Sequence, residues 1–447
     1  MMELSGIPAF EAQFDKQGNI FNANEPQQLL DFLNQGATTD LLIISHGWNN
    51  DMADARDLYK RFFERMRAVL DSGLAPEIAG RQFAICCILW PSKKFTDQEL
   101  IPSGAADIGS AVSEDDLAAQ LESLKGYFDN TKTNEILDQA KALIPDLEIN
   151  EQAQIRFADL IRSLPGRSSM YPDDASDVFF EMNGDELINR LKSPVLPVDL
   201  APDSEGGAAD TVSASTSGDE GGAAGLGDLF SGIKAGAFKI VNYTTYYQMK
   251  ERSGVVGRNG VNSLIRRIRA QFPNLKAHLI GHSFGGRLVA AATLGPDNQP
   301  PITIHTLTLL QAAFSHNGFA VNFDGDNTNG FFRNVIDAHQ VIGPTIITCT
   351  KNDKAVGKAY PIASALAFEA AAEIGDANDR FGGIGRNGAL VKFTSEASDG
   401  ALLATGSAYH FQGGKLFNLN ADAVINGHSD IFHDEIAYAL LKAVSKS

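Results

Sequence analysis

The chain has 447 residues, 44% apolar and 21% charged, which allows one large α/β body or two to three domains and excludes collagen-like, wholly disordered and disulfide-scaffold classes. Cys86, Cys87 and Cys349 read as reduced core thiols, no stretch reaches the roughly 18 apolar residues of a membrane span, and no secretory leader is visible. A cytoplasmic chain without a transmembrane segment is therefore expected. The net charge of −18 is uneven: residues 95–230 hold 27 acidic and 8 basic side chains, a net of −19, which argues against nucleic acid or an anionic membrane as partner.

Residues 10–14 and 19–21, joined by Asp15-Lys16-Gln17-Gly18, predict an opening hairpin. A short helix is expected over 26–34. The wholly apolar run 41–44 has the pattern of a strand buried on both faces. A helix capped by Asp51 follows, with Leu58, Phe62, Met66 and Val69 at helical spacing. Residues 83–89 are a second buried strand. The alternation then stops. From 95 to 192 only helical pieces are expected, one opened by Ser113 and others over 136–144, 155–164 and 174–191. Residues 201–229 are rich in Gly, Ala, Ser, Thr, Asp and Glu and read as a flexible linker.

Alternation resumes after 230. A helix over 261–272 is stopped by Pro273, and a strand over 275–280 leads into a helix beginning near 287. Residues 302–309 and 345–350 are further β-rich runs, with a helix over 359–371 after the second. Residues 415–419 are the last expected strand, and Phe432, Ile436, Leu440 and Val444 mark a closing helix. The fold class expected is α/β, a mostly parallel sheet covered on both faces. The core is assigned to 1–94 and 230–447, an acidic helical cap or lid insertion to 95–200, and a linker to 201–229.

In such sheets ligands sit at the carboxyl ends of the strands. There the strand 275–280 runs into Gly281-His282-Ser283-Phe284-Gly285-Gly286, a G-x-S-x-G turn between strand and helix. The turn exposes the Ser283 hydroxyl, and side chains two residues to either side would collide with strand and helix. A hydroxyl nucleophile needs a base, and the base an orienting acid. The acid candidate is Asp353, just past a buried strand, with Asp324 and Asp326 as rivals in a glycine-rich turn. The base candidate is His428, after the last strand, with His410 as rival and His433 as structural. Ser429 or Asp430 is expected to cap the closing helix. Directly after the strand 41–44 comes Ser45-His46-Gly47-Trp48-Asn49-Asn50. The N–H of Trp48, paired with that of Phe284, would form an oxyanion hole, and His46 would brace the loop. His282, Gln311 and Ser315 are support or pocket candidates. His278 and His282 do not share a helix face, so no zinc site is expected.

These motifs together resemble the α/β-hydrolase superfamily over 1–94 and 230–447. Within it the chain is similar to an intracellular group of serine hydrolases with an HGWN oxyanion loop, a GHSFGG elbow, a late NDKAVG turn and a terminal GHSD. The resemblance implies an acyl-enzyme mechanism with Ser283 as nucleophile, His428 as base and Asp353 as orienting acid, and no metal or organic cofactor. The expected function is carboxyl-ester hydrolysis on a small-molecule acyl substrate. An amidase, thioesterase or acyltransferase would use the same residues. From a different class, the fold would serve as a binding module, with the acidic insertion as the partner surface.

Overall fold

Runs of branched and apolar side chains make strands because both faces of a covered sheet are dry. In the computed structural model the described residues are 2–48, 50–92, 112–128, 130–165, 172–174, 176–192, 232–353, 355–356, 381–391 and 396–447. Contacts divide the chain into two units. One is Met1–Lys93, Met249–Val356 and Gly383–Ser447; the other is Lys94–Gln248 and Gly357–Gly382. The first unit thus resumes at Met249, not at 230, and residues 232–248 count with the second. The linker expected over 201–229 and the helix expected over 359–371 lie outside the described residues.

The chain opens with β1 (Met2–Leu4), which turns through Ser5 and Gly6 into β2 (Ile7–Gln13). The expected hairpin is therefore displaced. Residues 10–13 belong to β2, and across the 15–18 turn only Phe14 and Ile20 form a bridge. There the Asp15 side chain accepts from the N–H groups of Gln17 and Asn19, so local turn bonding replaces a strand ladder. Next come α1 (Asn24–Leu33), β3 (Asp40–Ser45), α2 (Met52–Asp71) and β4 (Phe83–Leu89). Asp51 caps α2 and, with Asp54, closes a reciprocal capping box.

The second unit holds α3 (Glu114–Ser123), α4 (Thr133–Ala142), α5 (Glu151–Arg162), α6 (Ser176–Glu181) and α7 (Gly184–Leu191). Among its described residues no strand occurs. The run 174–191, read as one helix, is two. Asn183 takes the extended backbone of a helix N-cap (φ −60°, ψ 139°), which starts α7 afresh. The buried Arg162 guanidinium caps the break by donating to the carbonyls of Phe179 and Met182.

The boundary at Gln248/Met249 falls inside α8 (Ile233–Val255), which continues through a π-helical turn, Val256–Val261, into α9 (Asn262–Gln271). The helix expected over 261–272 is thus the end of a longer one. A Cβ on Gly257 would stand 2.2 Å from the Leu288 carbonyl oxygen, so the wide turn lies backbone to backbone against the next helix. Then follow β5 (Lys276–His282), α10 (Phe284–Leu294), β6 (Thr306–Leu310), β7 (Thr345–Cys349), β8 (Ala397–Ala401), β9 (Leu416–Asn420) and the closing helix Asp434–Val444. The β-rich run starting at 302 yields a strand only from Thr306; before it, Ile304 makes a lone bridge to Val341.

Among the described residues the strands run β1-β2-β4-β3-β5-β6-β7-β9-β8 across the sheet. All neighbours are parallel except β1 and β2. From β3 the chain passes to β4 on one side and later to β5 on the other, which makes the carboxyl edge of β3 and β5 a topological switch point. Alternate side chains (Leu42 and Ile44 of β3, Ile85 and Cys87 of β4) pack with Leu58, Phe62 and Met66 of α2 and with Ile436, Leu440 and Leu441 of the closing helix. Burial pushes the Cys86 and Cys349 thiols up to about 12, so both stay protonated and unreactive. Among the described residues no helix is long and apolar enough to cross a membrane.

Gly257→Ala is expected to cost about 1–3 kcal/mol, because backbone must move to admit the methyl group. Urea unfolding checks this through a lower midpoint. Gly80→Ala, with nothing within 4 Å of the added Cβ, should shift stability by less than about 0.5 kcal/mol. Equal effects of the two would discount the Leu288 contact as the cause.

Candidate active site

Ser283 stands between the last residue of β5 and the first of α10, with φ 56° and ψ −126°. A serine at positive φ costs roughly 1–3 kcal/mol and persists only where its surroundings hold it. Here three backbone bonds do so. Its N–H donates to the Leu310 carbonyl (3.1 Å), and its carbonyl accepts from Gly286 (2.9 Å) and Ala313 (3.0 Å). The flanking glycines are steric requirements. A Cβ at Gly281 would meet the Gly285 carbonyl oxygen at 2.3 Å, and one at Gly285 the Ser45 carbonyl oxygen at 2.2 Å.

His428 lies on the loop between β9 and the closing helix. Its Nε2 is 2.8 Å from Ser283 Oγ, and its Nδ1 is 2.8 Å from Asp353 Oδ2. Asp353 follows β7, is fully buried, and accepts the Val356 N–H on its other oxygen (2.9 Å). A carboxylate oxygen facing Nδ1 calls for a proton on that nitrogen. Nε2 is then left as acceptor for the serine hydroxyl. The three side chains form one hydrogen-bonded line, although 145 positions separate Ser283 from His428.

The loop after β3 crosses the same spot. A Cβ on Gly47 would stand 2.7 Å from Ser283 Cβ, so only glycine lets this backbone pass. The Trp48 ring meets the Phe284 ring edge-on, with centroids 5.9 Å apart. His46 is buried beneath. Its Nδ1 donates to the Gly47 carbonyl (3.0 Å), and its ring stacks on Trp90, whose indole N–H donates to the His46 carbonyl (3.0 Å). In a trans peptide the carbonyl and the following N–H point opposite ways. By holding the Gly47 carbonyl, His46 therefore sets the direction of the Trp48 N–H. The Tyr59 hydroxyl accepts the His46 N–H and donates to the Ile88 carbonyl, and Ser92 Oγ donates to the Asn50 carbonyl. Tyr59, inside α2, and Trp90 and Ser92, just past β4, carried no signal of this role in the sequence.

His282 is buried beside Ser283. Its Nε2 donates to the His428 carbonyl (2.9 Å), and the two rings lie 4.9 Å apart. Burial drives His282 down to about 3 and His46 down to about 4, so both are neutral at physiological pH. Gln311 and Ser315 bond to their own surroundings and not to the serine–histidine–aspartate line. Gln311, at φ 38°, accepts from the Thr348 hydroxyl (3.2 Å), and Ser315 Oγ accepts the Asn317 N–H (3.1 Å).

The rivals stand elsewhere. His410 is exposed. Asp324 closes a turn by accepting from the N–H groups of Asp326 and Thr328. His278, near the opposite end of β5, is bonded to Asp40 and Thr306. The expected cap of the closing helix is displaced: the helix starts at Asp434, His433 holds the cap position, and Asp430 accepts from His433 (2.8 Å) and from the Asn426 N–H (3.0 Å). Asp430 thus closes the His428 loop instead of capping the helix. Among the described residues no three His, Cys, Asp or Glu side chains converge as a metal site requires. No protein-family model, curated protein or solved structure matches the chain.

The two neutral histidines make stability depend on pH. Unfolded, each titrates near 6.5; folded, His46 and His282 take a proton only near 4 and 3. Between those values the unfolded chain binds more protons, so stability is full above about 6.5 and falls as the pH drops, by about 1 kcal/mol per unit for each histidine. Denaturation midpoints at about pH 7 and about pH 5 measure the slope. His282→Asn should flatten it; an unchanged slope would mean that His282 does not carry this dependence.

Proposed function

We propose that the chain is a serine hydrolase of the α/β-hydrolase kind that cleaves carboxyl esters of small acyl substrates through an acyl-Ser283 intermediate. The observation that carries this reading is the hydroxyl–imidazole–carboxylate line, 2.8 Å at each link, on a strand–turn–helix at the carboxyl edge of a parallel sheet.

Ser283 Oγ attacks the ester carbonyl carbon while His428 Nε2 takes the hydroxyl proton. The carbonyl π pair moves onto oxygen. The N–H groups of Phe284, at the start of α10, and of Trp48, aimed by the His46–Gly47 bond, are its donors. Collapse of the tetrahedral species breaks the bond to the alcohol, which leaves with the proton held by His428. Water then attacks the acyl-enzyme, giving one proton to His428 Nε2, and that proton returns to Ser283 as the acid departs. Asp353 keeps the imidazole in the right tautomer and stabilises its charged form. The scheme draws on no metal and no organic cofactor.

A fluorophosphonate probe should label the parent chain at Ser283, and short p-nitrophenyl esters should turn over. Ser283→Ala and His428→Ala should abolish both. Asp353→Asn should lower kcat about 10⁴-fold with the fold retained. A parent chain that neither labels nor hydrolyses would turn the reading toward a binding module. Near-normal activity of Asp353→Asn would move the orienting role to another residue.

A further inference from the structure

We propose that Asn352 is a positioning residue whose side-chain amide locks the turn bearing Asp353 onto the loop bearing His428, so that acid and base are held as one preassembled pair. The proposal rests on the reading of these two residues given above.

β7 and β9 are parallel neighbours, and Cys349 lies opposite Asn420 at their carboxyl ends. The two chains leave the sheet side by side. The first folds into a tight turn, in which Thr350 accepts the Asp353 N–H on its carbonyl (3.1 Å) and the Asn352 N–H on its hydroxyl (3.1 Å). The second passes Asp422 and Ile425 on its way to His428. Asn352 joins them. Its Nδ2 donates to the Asp422 carbonyl (3.1 Å) and to the Ile425 carbonyl (2.8 Å). Asp422 answers with one carboxylate oxygen, accepting from Thr350 Oγ1 (2.9 Å) and from the Lys351 N–H (2.9 Å). Four hydrogen bonds thus tie the turn to the loop, besides the bond between Asp353 and His428 themselves.

The chemistry of the junction selects the side chain. Both groups facing Asn352 are carbonyl oxygens, so a donor with two hydrogens is needed, on a stem short enough for a tight turn. Serine offers one hydrogen, and aspartate only acceptors. Asn352 is half-buried, so water can replace its amide at the two carbonyls if it is lost. The fold then survives while the spacing of carboxylate and imidazole loosens. Reacting groups must hold their geometry to within about 0.5 Å, so looseness here is paid in rate rather than in stability.

Two variants test this, Asn352→Ala and Asn352→Asp, the second keeping size while presenting acceptors to the carbonyls. Each should lower kcat for a p-nitrophenyl ester about tenfold to a hundredfold, with KM within about threefold of the parent. A second readout is the strongly deshielded proton between His428 Nδ1 and Asp353 in the proton NMR spectrum. It should broaden or vanish in both variants, while thermal unfolding stays cooperative. Unchanged kcat and an unchanged resonance would overturn the proposal. Loss of cooperative unfolding in both variants would also overturn it, since Asn352 would then serve the fold. The resonance needs no turnover: if the parent chain hydrolyses nothing, the hydrolase reading fails, and the spectrum alone decides whether Asn352 holds the pair.

Discussion

Two segments meet at the carboxyl edge of the sheet so closely that each contact requires glycine on one side. In the parallel register of β3 and β5, Ser45 lies opposite Gly281. The two chains leave the sheet at the same height and must pass each other at once. Gly47 against Ser283, and Gly285 against Ser45 and His46, are approaches that any Cβ would block. That contact places the Ser283 hydroxyl beside Gly47. It also helps hold residue 283 in a conformation its own side chain disfavours.

The remaining polar groups come from the other side of β5. β7 and β9 deliver Asp353 and His428 on neighbouring loops, so an acid and a base 75 positions apart need no long reach. Asp353, His46 and His282 are buried there, and burial strengthens each hydrogen bond and makes an unpaired charge costly. His46 and His282 meet that condition by staying neutral. For the proposed chemistry the neutrality of His282 matters further. Its ring is 4.9 Å from that of His428, and a second positive charge there would oppose the imidazolium that a general base must become.

Legibility followed burial. β3, β4, β5 and β7 are dry on both faces, and their apolar runs announced them to within a residue or two. β8, Ala-Ser-Asp-Gly-Ala, has no pattern of its own; it is an exposed edge strand made by pairing with β9. β1 escaped notice because three residues carry no periodicity. The junction of α8 with α9 was hidden for another reason. Gly257 packs on the Leu288 carbonyl and Gly260 on the Gly18 carbonyl, and these contacts between distant segments accompany the π turn. Ser429 and Asp430 had the composition of a cap, yet Asp430 bonds back to Asn426 and His433, and the helix begins later.

The sequence by itself determined which side chains have reactive or hydrogen-bonding chemistry and on which strand ends they sit, because apolar periodicity and turn residues are local properties. It singled out Ser283, Asp353, His428 and the His46–Trp48 loop from that information. Distances were decided only by the tertiary structure. Whether Nε2 of one residue reaches Oγ of another 145 positions away depends on strand order and register, which arise from the packing of the whole sheet. The same holds for Tyr59, Trp90 and Asn352, whose partners lie far along the chain: a hydrogen bond is a property of two groups in space, and the sequence lists only one of them at a time.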